Sequence, residues 1–203
     1  MRDRRRLFSD ATAAAARMRD AGKAEATLVE TLVHAVRIEK GQARRRRFWA
    51  ARLLAGFTKD YAEVRDAVRT LATATEWHVR YRAMRCLDSD SPRPFAVEIL
   101  RQGLLDDHPA VRYLAACAAG SLLLTELVDD LAHYVRAFPA ESTWVGRFWL
   151  PLLRDGYVLD DRCTAPHLLC VARGRQMTSR HVDGAELAKR GVAALVAEMQ
   201  GGD

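Results

Sequence analysis

No run of eighteen or more apolar residues occurs in this sequence, so no membrane-spanning helix is expected. Extended alternation of Val, Ile or Thr with polar residues is also missing, and with it the usual sign of strands. The four cysteines, Cys86, Cys117, Cys163 and Cys170, form no tight pairs. That spacing excludes a disulfide framework as the expectation and points to reduced thiols in a cytoplasm. A concentrated basic tail is lacking too. The formal charge is +6, with the arginines scattered. Such a balance permits contact with nucleic acid or an acidic protein and demonstrates neither. The basic start, Met1 to Arg6, runs into alanines interrupted by Arg17 and Arg19, which is unlike a secretory signal peptide.

What is present is helix-forming. Of 203 residues, 49% are hydrophobic and 29% charged, which suits a folded chain able to bury a core as one domain. Ala, Leu, Arg and Glu dominate. Glu76 to Gly120 holds one pattern twice. His78-Val79-Arg80-Tyr81 continues to Ala83 and Leu87, and Ala110-Val111-Arg112-Tyr113 continues to Ala115 and Ala119. The offset of about 32 residues is that of a stacked repeat array.

Helices are expected over 9–20, 25–38, 43–57, 61–72, 77–87, 95–105, 110–124, 126–138 and 144–153, the last interrupted by Pro151. A turn is expected over 88–94, and 160–174 reads as an irregular connection with a short helix. A final helix, 184–199, carries Leu187, Val192, Leu195 and Val196 to close the stack. Pairing the helices gives four hairpins, 25–57, 59–87, 94–124 and 126–154. Each second helix opens on an Arg-aromatic pair: Arg47-Phe48, Arg80-Tyr81, Arg112-Tyr113 and Arg147-Phe148.

Asp107-x-Pro109-x-Val111-Arg112-x-x-Ala115-Ala116-x-x-Ala119 resembles the second helix of a HEAT repeat, and Val79-Arg80-x-x-Ala83 with Leu87 repeats it. The resemblance covers about residues 25–154. Gly146 and Pro151 depart from the pattern in the fourth hairpin, and residues after Asp155 do not match. It implies an all-α, right-handed α-solenoid of about four HEAT-like hairpins. The single domain, 1–203, would have an N-terminal cap (1–24), repeats (25–154) and a C-terminal cap (155–203). It also implies that the arginines join carboxylates in a ladder between repeats. Asp107 is the expected partner of Arg112, and Glu76 that of Arg80.

The aromatics invite two readings. With Val79, Ala83, Cys86 and Leu87 buried, Tyr81 lies about 180° from the centre of that stripe. Phe48, Tyr113 and Phe148 hold the matching places. They either tuck between helices as core or line a concave groove flanked by Arg45, Arg52, His78 and Arg85, as binding surfaces favour. The run Arg44 to Arg47 stands at a helix start, where the dipole disfavours cations. It is either a solvated face or a contact for an anionic partner.

Catalytic signals are weak. Cys163, His167 and Cys170, with His181 and Asp183 following, lack the tight spacing of zinc sites. One family of alkylpurine DNA glycosylases is built from HEAT-like repeats and carries a Trp followed four residues later by a catalytic Asp. Here Trp49, Trp77, Trp144 and Trp149 are followed at that place by Leu53, Tyr81, Phe148 and Leu153. The expectation is a non-enzymatic adaptor without cofactor or metal, binding an acidic or apolar protein segment through Phe48, Tyr81, Tyr113, Phe148, Arg45, Arg52 and Arg85. A nucleic-acid-binding protein related to those glycosylases and a regulatory subunit of an enzyme complex are the alternatives.

Overall fold

The computed structural model describes residues 2–38, 49–160 and 166–201. Among the described residues the chain is mostly helical, with one small sheet. Its contacts gather into two compact units, Met1–Ala118 and Ala119–Asp203.

The first unit holds α1 (Arg2–Ala21), α2 (Ala26–Ile38), α3 (Trp49–Ala55), α4 (Ala62–Ala72), α5 (Trp77–Ala83), a 3-10 turn (Met84–Cys86), α6 (Arg93–Leu104) and most of α7 (Pro109–Ser121). Each helix buries one stripe. In α4 it is Val64, Val68, Leu71 and Ala72, and in α2 it is Leu28, Leu32, Ala35 and Val36. This is the spacing that keeps apolar groups on one face of a 3.6-residue helix. α2 packs against α1, α3, α4 and α5. α4 packs against α5 and α6, and α3 against the 3-10 turn. Gly103 lets α6 come close to its neighbours. A Cβ there would lie 2.8 Å from the Ala115 Cβ and 2.6 Å from the Met84 sulfur.

Polar braces recur with the repeat. The Arg80 guanidinium donates through Nη1 to the carbonyls of Ala74 (3.0 Å) and Thr75 (2.8 Å). That of Arg112 donates through Nη1 to the carbonyls of Asp106 (2.8 Å) and Asp107 (3.0 Å). The offsets are the same, so the resemblance between the two copies extends to bonding geometry. The carboxylates that reach Arg80 are Asp106 and Asp107, from the turn before the next copy, and not the expected Glu76. Arg69 bridges Asp66 and Glu98, which hold matching places in α4 and α6. The buried hydroxyls of Thr58 and Ser91 lie 2.8 Å apart, and Asp88 accepts from the Ser91 amide, so the turn after α5 is pinned. Arg82 donates to the carbonyls of Val36 (3.0 Å) and Arg37 (2.6 Å), satisfying the end of α2.

The second unit departs from the expectation. It holds a 3-10 turn (Thr125–Leu127), α8 (Val128–Ala137), a π turn (Val145–Trp149), α9 (Leu150–Asp155), β1 (Tyr157–Asp160), β2 (His167–Arg173), β3 (Gln176–Val182), α10 (Gly184–Arg190) and α11 (Val192–Gly201). Pro151 accounts for the π turn. It cannot donate to the carbonyl four residues back, and its ring crowds that carbonyl, so the preceding turn widens. The region expected to be irregular with a short helix is an antiparallel sheet of order β1-β2-β3. A two-residue turn joins β2 to β3, with Gly174 at φ +59°. The expected last helix breaks at Gly191 (φ +74°) into α10 and α11. Its residues cover the sheet. Leu195 and Val196 form a core with Leu169, Val171 and Val182, edged by Leu187 and Val192. Arg180 and Arg190 each pair with both Glu186 and Glu198, tying α10 and α11 to β3.

Candidate functional site

The expected site residues fall in different places. Phe48 and Arg45, with the rest of the Arg44–Arg47 run, lie outside the described residues. Arg52 is exposed on α3, and Arg85 is exposed in the 3-10 turn against which α3 packs. Tyr81 stands one helical turn before Arg85 and is half-buried. Tyr113, its counterpart on α7, is 39% exposed, and partial burial raises its hydroxyl above the ordinary tyrosine range, with Cys117 adding to the effect. Phe148 is a correction. It is only 7% exposed and stacks on Trp144 at 4.8 Å, with Trp149 edge-on beside it. That ring is core of the second unit, where the helix widened by Pro151 turns it inward. Arg147, expected in the ladder, is exposed.

The cysteine-histidine set also comes apart. Cys163 is outside the described residues. His167 and Cys170 are on β2 rather than a helix, three residues apart, which puts them on opposite faces of the sheet. Burial pushes the Cys170 thiol up, and Asp160 adds to that, so it stays protonated and unreactive. Among the described residues no group of three or more His, Cys, Asp or Glu could hold a metal ion.

The site that the sequence reading missed lies at the turns before α5 and α7. Trp77, at the start of α5, remains 43% exposed. The ring of His108, just before α7, stacks on it at 3.9 Å with 2° between the planes. Tyr81 and His78 meet the indole edge-on at 6.4 and 6.0 Å. His108 is fixed from both ends. Its amide donates to Asp106 Oδ1 at 2.8 Å, and its Nδ1 accepts from the Ala110 amide at 3.2 Å, so the ring caps α7.

Asp106 anchors this corner. The Arg80 Nε lies 2.6 Å from Oδ2, and Nη2 lies 2.9 Å from Oδ1, a bidentate pair. Burial alone would raise the Asp106 carboxyl, but the Arg80 bonds and the His108 amide outweigh it and hold the group below the usual carboxylate range. The same pairing raises Arg80. Beside the stack is an open hollow of about 350 Å³, lined by Glu76, Trp77, His78, Arg80, Asp107 and His108 among others. A second hollow of about 490 Å³ shares Thr75, Arg80 and Asp107 with it and reaches the exposed Leu105. Sequence carried one clue: Trp77 and His108 both stand at the entrance of a repeated helix. No match to the chain was found among family models, curated proteins or solved structures.

Proposed function

We propose that this chain is a non-enzymatic interaction module of the HEAT-like, right-handed solenoid kind, which presents its second helices to an acidic or apolar segment of a partner protein. One observation carries the proposal. In the two matching copies the arginines, Arg80 and Arg112, turn to the backbone and are spent as braces, while their aromatic neighbours, Tyr81 and Tyr113, keep surface in water. Rings left accessible at a repeated place, with exposed Arg52 and Arg85 on touching segments, have the makeup of an interaction surface. The formal charge of +6 favours an acidic partner.

Peptide display against the folded chain tests this. Selected peptides should pair Asp or Glu with a large apolar residue. Their affinity should fall about tenfold in the double variant Tyr81→Ala with Arg85→Glu, whose circular dichroism should match that of the parent. Selection of basic or featureless peptides would overturn the proposal. So would tight binding to duplex DNA with a steep loss of affinity as salt rises, the mark of phosphate contacts.

A further inference from the structure

The hollow beside Trp77 has the opposite chemistry to the arginine-bearing face. Glu76 and Asp107 bound it, and Asp107 is 87% exposed, touching Arg80 with one carboxylate oxygen. Glu76 is exposed and its side chain makes no cap bond to α5. The cations at this corner already have partners. Arg80, which also lines the hollow, holds Asp106, one oxygen of Asp107 and two carbonyls, and Arg112 is buried against the carbonyls of Asp106 and Asp107. The three carboxylates of Glu76, Asp106 and Asp107 thus outnumber the two guanidinium groups. Water meets negative charge next to an aromatic wall.

We propose that this hollow takes the side chain of an arginine from a partner protein. A guanidinium is flat and weakly hydrated. It lies against an aromatic surface and offers paired donors to a carboxylate at the same time. The Trp77 surface left open supplies the first contact, and Glu76 with the outer oxygen of Asp107 supplies the second. The stack with His108 holds the indole in place before binding, which lowers the ordering cost. A phosphate or acidic side chain would meet Glu76 and Asp107 as like charge. A base or other ring is not sandwiched here, because His108 already covers one face of Trp77. The inference is independent of the acidic-segment surface around Arg52 and Arg85, and joined with it describes a partner that carries both signs of charge.

The test is a titration of nitrogen-15-labelled protein with acetyl-Gly-Arg-Gly-amide, following the Trp77 indole N–H, which the Trp77→Phe variant identifies. The Arg peptide should shift that signal to saturation. The same peptide with citrulline, which keeps the shape and loses the charge, should leave it in place, and the Lys peptide should bind several-fold more weakly. Glu76→Gln, outside the Arg80 brace, should weaken the Arg peptide about threefold. Trp77→Ala, read on the His108 and Glu76 amides, should weaken it about fivefold. Arg52→Glu should change neither, which separates this site from the acidic-segment surface. Equal shifts by the citrulline peptide, stronger shifts by acetyl-Gly-Glu-Gly-amide, or unchanged affinity in Glu76→Gln would each overturn the proposal.

Discussion

At the scale of single residues, Asp106 carries more than its neighbours. Its side chain is 7% exposed, and it serves Arg80 and the His108 amide together. Removing one partner of a buried pair costs about 3–5 kcal/mol when the other charge is left unmatched, and here Asp107 and two carbonyls still hold Arg80. Asp106→Ala should therefore lower the stability of the first unit by about 2 kcal/mol, the worth of its charge-assisted hydrogen bonds, and release the Trp77–His108 stack, seen as a change in Trp77 fluorescence. Glu98→Ala, which breaks the half-exposed pair with Arg69, should cost less than about 1 kcal/mol because water screens it. The pH dependence has a definite sign. The folded-state pKa of Asp106 is depressed, so its contribution is present above the unfolded value, about 3.9 for Asp, and is lost as pH falls through the lower folded value. Urea titrations in that acid range should show a steep fall in the parent and a shallower one in Asp106→Asn. Equal slopes would remove Asp106 as the acid-sensitive brace.

Among elements, the helices of the first unit were legible because burial there follows a period. Val64-x-x-x-Val68-x-x-Leu71-Ala72 has one reading, and α4 fits it. The arginine braces were half legible. Sequence spacing matched Arg80 with Arg112, but which carboxylate reaches Arg80 depends on the distance between neighbouring turns, which no single turn encodes. The sheet was not legible. β2 runs Leu168-Leu169-Cys170-Val171 because α11 lies on one face and α9 packs against the strand as well, so alternation disappears. β3 is exposed along most of its length and has no apolar pattern to reveal it. The turn at Gly174 was the available signal. Close approach is equally hidden, and Gly103 makes it testable. Gly103→Ala gains about 1 kcal/mol of helix propensity. Against that, overpacking on Ala115 and Met84 costs about 1–3 kcal/mol. The variant should be destabilised in thermal unfolding, and adding Ala115→Gly should return part of the loss. A stabilised Gly103→Ala would mean that α6 and α7 have room to part.

For the whole molecule, the division into two units sets what the repeat can explain. The Arg-aromatic beat was read across residues 25–154, yet the matched braces lie at Arg80 and Arg112, both in the first unit. In the second unit Phe148 is core, Arg147 is exposed, and a sheet under α11 supplies a separate apolar centre. Two centres of packing, one in each unit, predict separable stability. Leu169 is fully buried in the sheet core. Leu169→Ala removes its methyl groups and leaves a cavity, a change worth about 2–5 kcal/mol. Hydrogen exchange should show that loss in the amides of β2, β3 and α11, while those of α4 and α6 keep their protection. An equal drop in both sets would mean that one cooperative transition governs the chain. The two cores would then be parts of a single folding unit, and the arginine-bearing surface would depend on the sheet for its order.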